Sequence, residues 1–263
     1  MFNDDRKKIP LDEELHIIER VLAKVREMLG LTDKNFHLRL VLSGLKILGR
    51  PNICMHIVNV IEGRTYTNLI SGFDMVNQEN VTLPILSFVP DILDGKIRDT
   101  KNMPCFFHCG ETHERDSTNV CDAILLDSKR LGHGFQIFLH PQLQKEAKDR
   151  DICIEACPIS NLLLGYTTDL RNHPVRYLLH KGLQASISSD DPGFFGYDGV
   201  TMDYTMIYVA WELSIRDLKK FCLNGIKYST IDDDQKEYLT NVLFPADWDK
   251  FIQHILTNYS DYK

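Results

Sequence analysis

The stretch "FFHCGE", residues 106–111, places His108 and Glu111 directly after an apolar run. An imidazole can bind a metal or move a proton, and a nearby carboxyl group can act as acid or base. Two further stretches offer similar chemistry: "LGHGF" (131–135) flanks His133 with glycines, and "SSDDP" (188–192) contains Asp190 and Asp191. Adjacent aspartates repel each other, so a buried pair usually needs a cation or a hydrogen-bonded ligand.

Each stretch, taken alone, also has a purely structural interpretation. The histidines could be core residues bonded to a backbone carbonyl, and the aspartates could form a solvated turn or a helix cap. The combination favours chemistry, because histidine, glutamate, histidine and paired aspartates follow three apolar runs in that order. Zinc binds imidazole nitrogen and carboxylate oxygen and lowers the pKa of a bound water to about 7. Together these residues predict a hydrolytic metal site.

Short apolar runs alternate with helical patterns along most of the chain, which predicts a parallel sheet covered by helices on both faces. The runs are "HLRLVLSG", "LISGFDMV", "MPCFFHCGE", "RLGHGF", "ICIEACPIS" and "LQASISSDDP". Polar residues follow many of them, at Asp74, His108, Glu111, His133, Ser160, Asn161, Asp190 and Asp191. This spread over several strand ends favours a (β/α) barrel, because an open doubly wound sheet gathers its ligands at one switch point.

Length and charge narrow the function classes. A chain of 263 residues fits one barrel domain over 1–263, and a net charge of −7 argues against nucleic acid as the main partner. No apolar run is long enough to cross a membrane, and the charged N-terminus lacks a secretory signal, which predicts a cytosolic chain as written. The seven cysteines are interpreted as mostly reduced core thiols. An amphipathic helix is predicted from Leu11 to its end at Gly30.

Several common site types are absent from the sequence. It contains no G-x-G-x-x-G, no G-x-x-x-x-G-K-[ST] and no G-x-S-x-G, so dinucleotide, P-loop and hydrolase-elbow readings have no support. The H-x-E and P-C-x-x-C signature of cytidine deaminases is also missing.

With these residues described, the sequence resembles the adenosine deaminase branch of the metal-dependent amidohydrolases, and most of all the secreted adenosine deaminase growth factor family. The resemblance runs from about residue 10 to residue 255. It rests on "GFDMV", "FFHCGET", "DAILLDSKRLGHGF", "IEACPISN", "DLRNHPV", "SSDDPGFFG" and "NGIKYST". The implied fold is a (β/α)8 barrel of the metal-dependent hydrolase type, and the implied location is extracellular.

The resemblance also implies roles for individual residues. His108 and Asp190 would be zinc ligands. Glu111 would protonate the purine ring nitrogen beside the attacked carbon, and His133 would orient the zinc-bound hydroxide and stabilise the developing alkoxide. Two further groups would hold other ring nitrogens: the Gly110 backbone amide and the Asp191 carboxylate. The implied reaction is the hydrolytic deamination of adenosine or 2'-deoxyadenosine, with release of ammonia, and a homodimer is the expected assembly.

The sequence departs from the family in one large respect. The family's zinc also binds two histidines in an H-x-H pair on the first barrel strand, and no two of the ten histidines here have that spacing. The match begins just before the third barrel strand, so we expect a barrel truncated to about its last six strands. Two ligands from the chain are fewer than the three that a catalytic zinc normally keeps.

Three hypotheses follow. The first is the C-terminal part of a zinc adenosine deaminase. The second is a catalytically silent relative that binds adenosine or a partner protein without turnover. The third is a related amidohydrolase acting on another amine or on a nucleotide, which would need basic residues for a phosphate that the strand-end segments do not show.

Overall fold

The structure is a computed structural model that describes residues 9–259. In this range it has six β-strands, and each overlaps one of the six predicted apolar runs. They are β1 (Leu40–Leu45), β2 (Ile70–Val76), β3 (His108–Cys109), β4 (Arg130–His133), β5 (Cys153–Ala156) and β6 (Gln184–Ile187). The α-helices are α1 (Leu11–Leu29), α2 (Gly49–Tyr66), α3 (Val89–Arg98), α4 (Asn119–Leu125), α5 (Pro141–Asp149), α6 (Pro158–Leu163), α7 (Pro174–His180), α8 (Pro192–Phe195), α9 (Thr201–Ala210), α10 (Ile215–Lys227), α11 (Asp233–Tyr238) and α12 (Phe244–Tyr259).

All pairs of neighbouring strands are parallel. β1 pairs with β2, and β3, β4, β5 and β6 pair in chain order. Cys105, just before β3, forms single parallel bridges to Phe73 in β2 and to Ser128 before β4. Parallel strands in chain order with helices between them are the arrangement of a (β/α) barrel. The predicted α/β fold, a barrel reduced to six strands, is confirmed.

The core lies between the strands and the helices that cover them. Strand β2 is buried along almost its whole length, which explains why its sequence reads as a continuous apolar run rather than an alternating one. Phe73 and Phe107 meet edge to face, with ring centroids 6.4 Å apart. Helix α2 turns Ile53, Ile57 and Val60 inward, and all three are buried.

Prolines begin the short helices that follow several strands. Helices α5, α6, α7 and α8 each carry a proline in the first turn, where the missing N–H has no intrahelical partner to lose. The longer α10 begins with a capping box between Ser214 and Asp217. Because α6 begins at Pro158, just after β5 ends at Ala156, this proline fixes where the chain leaves the sheet.

Two compact units make up the described chain. Residues 40–228 form the strand-bearing unit, and residues 9–39 with 229–259 form the other. In the second unit, α1 ends as predicted at Gly30, whose φ of 63° is left-handed. Arg39 pairs there with Asp232 at 3.1 Å. The single domain expected over 1–263 stays a prediction.

The cysteines agree with the predicted reduced state. All seven are unpaired thiols, and four of them are buried, at Cys105, Cys109, Cys153 and Cys157. Among the described residues, no helix has both the length and the apolar character needed to span a bilayer.

A glycine in β2 tests how tightly the sheet is packed. A Cβ added at Gly72 would lie 2.4 Å from the Pro104 carbonyl oxygen, whereas one added at Gly225, on an exposed position of α10, would meet nothing within 4 Å. We expect Gly72→Ala to destabilise the fold by about 2–3 kcal/mol, because backbone must move to admit the methyl group. Urea unfolding measures the change.

The matched control is Gly225→Ala, which should leave stability unchanged or raise it by up to about 1 kcal/mol through helix propensity. Equal urea midpoints for wild type and Gly72→Ala would show that the backbone near Pro104 moves aside without a loss of stability.

Candidate active site

The ends of strands β3, β4 and β6 bring the predicted site residues together. His108 begins β3 and pairs in register with Gly132, and Cys109 pairs with His133, so the two imidazole rings lie with centroids 5.1 Å apart. Gly132 makes this approach possible, since a Cβ there would lie 3.0 Å from the His108 backbone and ring. Asp190 follows β6 and reaches the same group from the third strand.

Three of these side chains form a group that could hold a metal ion. Ligand atoms of His108, His133 and Asp190 all lie within 4.8 Å of one another. They border a cavity of about 320 Å³, whose wall also includes Glu155 and Ser188. His108 and Asp190 are the two predicted ligands, whereas the sequence predicts that His133 acts on the attacking water.

A buried carboxylate orients His108. Asp74, at 4% exposed, lies in β2 and accepts the His108 backbone N–H at 2.9 Å, and its second oxygen is 2.7 Å from His108 Nδ1. Burial of the ring disfavours its charge, but the Asp74 carboxylate outweighs this and raises the pKa of His108 to about 10. Because Nδ1 is committed to Asp74, only Nε2 is left to bind a metal.

Glu111 is placed to hold a proton near neutral pH. It follows β3, its side chain is 17% exposed, and its Oε1 lies 3.3 Å from His133 Nδ1. Burial raises its pKa to about 7, a rise that the positive charge of His108 opposes and the negative charge of Asp190 reinforces. A carboxyl group with such a pKa can donate a proton and take it back at physiological pH.

His133, in contrast to His108, is held in its neutral form. Its side chain is 3% exposed, and burial, together with the positive charge of His108, keeps its pKa well below the ordinary value. Its Nε2 lies 3.9 Å from Asp190 Oδ2. A φ of 60° gives His133 a left-handed backbone, and Asp190 has one too, at 58°. Such conformations are costly for residues with a Cβ and occur often at functional sites.

The aspartate pair is divided between two environments. Asp190 accepts the Ser160 hydroxyl at 2.6 Å, which fixes one of its oxygens. Asp191 is exposed and precedes α8, but its side chain makes no capping hydrogen bond, so the helix-cap interpretation is wrong for it. Gly110, which follows His108 and Cys109, has a left-handed φ of 69° and accepts the Gln136 backbone N–H at 3.1 Å.

Like Asp74 and Ser160, three further residues of the site have no role predicted from the sequence. Asn161 donates to Glu111 Oε1 at 3.3 Å, and its amide oxygen lies 3.1 Å from Nε2 of the buried His173. Lys46, directly after β1, is 2% exposed and its Nζ has no hydrogen-bond partner among the described residues. Burial lowers its pKa, while Glu79 and other carboxylates near it act against this. The sequence signals are a lysine and an asparagine that each follow an apolar run, and a histidine inside "DLRNHPV".

Comparison with known proteins decides the family. Residues 7–244 match the family model described as adenosine deaminase. The chain belongs to the adenosine deaminase family. It is 38% identical over 202 residues to adenosine deaminase 2 of Dictyostelium discoideum, covering 74% of this chain and 37% of that protein. It is 35% identical over 198 residues to adenosine deaminase 2 of Homo sapiens, covering 73% and 38%.

The predicted resemblance to the growth-factor branch is confirmed by these relatives, of whose length the chain spans little more than a third. Among solved structures, an amidohydrolase from Burkholderia ambifaria with bound Zn superposes with a TM-score of 0.80 at 21% identity. The alignment covers 95% of this chain and 66% of that one, which supports the barrel fold.

The donor set of this family member suits zinc chemically. Two imidazole nitrogens and a carboxylate oxygen are donors that zinc prefers, and the three ligand atoms lie within 4.8 Å of one another. The roles given to His108, Asp190, Glu111, His133, Gly110 and Asp191 stay predictions.

The contact between Asp74 and His108 generates a prediction about metal affinity. In Asp74→Asn the amide cannot reproduce both carboxylate bonds, so the His108 ring loses its orientation. We expect the affinity for Zn²⁺ to fall about 10–100-fold, as is usual when such a supporting carboxylate is lost. Competition with a chromophoric chelator measures the affinity.

Asp127→Asn is the matched control, because Asp127 is exposed and its left-handed φ of 60° is one that asparagine tolerates. It should bind Zn²⁺ like the wild type. An equal loss of Zn²⁺ affinity in both variants would show that Asp74 has no special role.

His173 generates a prediction about pH. Burial lowers its pKa from 6.5 to about 4, so the unfolded chain takes up a proton between these values that the folded chain does not. This contribution to stability is complete above pH 6.5 and is lost as the pH falls to 4, by up to about 3 kcal/mol. We expect His173→Gln to show a shallower loss of stability over this window in urea unfolding.

The control here is His16→Gln, at an exposed position of α1, which should keep the wild-type slope. A His173→Gln slope identical to that of the wild type would contradict the prediction.

Proposed function

We propose that this chain provides the C-terminal part of the active site of a zinc-dependent adenosine deaminase, which converts adenosine to inosine and ammonia. The observation that carries the proposal is the convergence of Glu111, His133 and Asp190 beside His108 at one edge of a parallel sheet. Membership of the adenosine deaminase family supports the reaction class. A bound zinc would supply a more acidic water and would stabilise negative charge on the attacked carbon's oxygen.

His108 and Asp190 are the residues that would hold the zinc. Asp74 keeps the His108 ring in one orientation, and Ser160 holds one oxygen of Asp190. With two such ligands supplied by the described residues and His133 close by, the remaining ligands of a catalytic zinc would come from outside this chain or from water.

The proton transfers fall to Glu111 and His133. With a pKa near 7, Glu111 would carry the proton that goes to the ring nitrogen beside the attacked carbon. Neutral His133 would orient the attacking water through Nε2, the nitrogen that faces Asp190. Ring nitrogens of the purine would be held by the Gly110 amide and the Asp191 carboxylate, which lie next to Glu111 and Asp190 in the sequence.

Substrate, location and assembly follow the same family expectation. Adenosine or 2'-deoxyadenosine would occupy the cavity of about 320 Å³, which lies at the lower end of the sizes common for small-molecule sites. We propose an extracellular location and a homodimer on the resemblance to adenosine deaminase 2.

Replacement of the proposed acid tests the reaction. In Glu111→Gln the side chain keeps its size but cannot deliver the proton, so we expect kcat for inosine formation to fall about 10²–10⁴-fold. Chromatographic separation of adenosine and inosine, with the chain supplied with Zn²⁺, measures the rate. Glu114→Gln, three residues along the chain and exposed, is the matched control and should keep the wild-type rate.

Two outcomes would contradict this proposal. If the wild-type chain binds both Zn²⁺ and adenosine but forms no inosine, the chain is a silent binding relative. If it releases ammonia from another purine and not from adenosine, the substrate is wrong.

A further inference from the structure

We propose that Asn161 and His173 are positioning residues that keep the proton of His133 on Nε2, the nitrogen facing Asp190. Neither residue would touch the substrate. Both would act through His133, so the inference deepens the proposed function and rests on the same site. A backbone N–H can only donate, and one such group sets the direction of the hydrogen bonds that link these residues.

The backbone N–H of Val175 determines which nitrogen of His173 carries the proton. The Val175 backbone N–H donates to His173 Nδ1 at 3.2 Å, so Nδ1 is an acceptor and carries no proton. The ring is 1% exposed, and burial favours its neutral form. A neutral imidazole with a bare Nδ1 has its proton on Nε2, and this nitrogen lies 3.1 Å from Asn161 Oδ1. His173 therefore donates to the amide oxygen.

The proton on His173 Nε2 determines the orientation of the Asn161 amide. Because Oδ1 accepts from His173, the NH₂ end must point the other way, into the site. There Nδ2 lies 3.3 Å from Glu111 Oε1 and 3.2 Å from His133 Nδ1. An amide nitrogen has two N–H groups and no acceptor, so it can serve both neighbours only as a donor.

The Asn161 amide in turn determines which nitrogen of His133 carries the proton. Its Nδ1 faces a donor and must accept, which leaves the single proton of the neutral ring on Nε2, 3.9 Å from Asp190 Oδ2. Without Asn161, the proton of His133 would move from Nε2 to Nδ1. Glu111 Oε1 lies 3.3 Å from Nδ1, and a carboxylate alone would draw the proton to that nitrogen. Asn161 thus keeps the acid and the histidine from pairing with each other.

Both positioning residues are held firmly by the fold. Asn161 lies in α6, whose first turn is anchored by Asp203 accepting the Ile159 backbone N–H at 3.1 Å. His173 immediately precedes α7, and its ring packs against Trp211 with centroids 5.6 Å apart. Trp211 in turn donates to the Leu170 carbonyl at 2.8 Å. Both side chains are buried, each at 1% exposed.

The experiment reads the protons directly. In the full chain labelled with ¹⁵N-histidine, long-range ¹H–¹⁵N correlation spectra near neutral pH distinguish the two tautomers of each ring. The signals of His133 and His173 are assigned by their loss in His133→Gln and His173→Gln. We expect both rings to carry their proton on Nε2 in the wild type. A wild-type His133 with its proton on Nδ1 would overturn the proposal.

The decisive variant is Asn161→Asp, which replaces the N–H donor by a carboxylate oxygen of the same size. It still accepts from His173 but now offers an acceptor to His133, so we expect the proton of His133 to move to Nδ1. Asn172→Asp makes the same change at an exposed neighbour of His173 and should leave both tautomers as they are. Retention of the Nε2 proton on His133 in Asn161→Asp would contradict the inference.

A second pair of variants tests His173 should Asn161→Asp fail to fold. His173→Leu removes the donor that orients the Asn161 amide, so a mixture of His133 tautomers is expected, whereas in His173→Gln the amide donor should preserve the Nε2 form. A single Nε2 tautomer in His173→Leu would overturn the role of His173. These spectra need neither substrate nor metal, so their failure is distinct from a failure of the deaminase proposal, which the Glu111→Gln assay decides.

Discussion

Parallel pairing in chain order is the constraint on which the rest of the structure depends. Since each strand runs in the same direction, the residue that ends one strand lies beside the residue that ends the next. The register that sets Cys109 opposite His133 is enough to bring two imidazoles within 5.1 Å. Residues far apart in the chain thus share one small region, and the bridges through Cys105 carry this alignment from β2 to β4.

The pKa values of the buried titratable groups shift in different directions, depending on the partners of each group. His108 and His133 are close neighbours, yet the pKa of the first is raised to about 10 and that of the second is held well below 6.5. His108 Nδ1 lies 2.7 Å from the buried Asp74 carboxylate. His133 Nδ1 lies 3.2 Å from the Asn161 amide and 3.3 Å from Glu111, and the positive charge of His108 opposes a second charge beside it. One low-polarity region therefore contains a charged imidazole, a neutral imidazole and a carboxyl group that titrates near neutrality.

The sequence was a good guide to whatever depends on local pattern. Apolar runs placed all six strands, and the heptad-like spacing up to Gly30 placed α1. Pairing direction followed from the alternation of strands and helices, which is why His108 and Asp190 could be predicted to meet. The supporting contacts were not readable in this way, because they join residues at irregular separations. Asp74 is 34 positions from His108, and Asn161 is 50 from Glu111. Which nitrogen faces which oxygen depends on rotamers that only the packed core determines.

The left-handed backbone at His133 and Asp190 has a consequence for how this chain could be improved. Each such conformation costs about 1–3 kcal/mol for a residue with a Cβ, and glycine would adopt it without that cost. Selection of variants for thermal resistance alone would therefore favour glycine at both positions and would erase the proposed chemistry while it strengthened the sheet. Stability and activity are opposed at the same two backbone angles, and engineering for robustness should leave residues 133 and 190 unchanged.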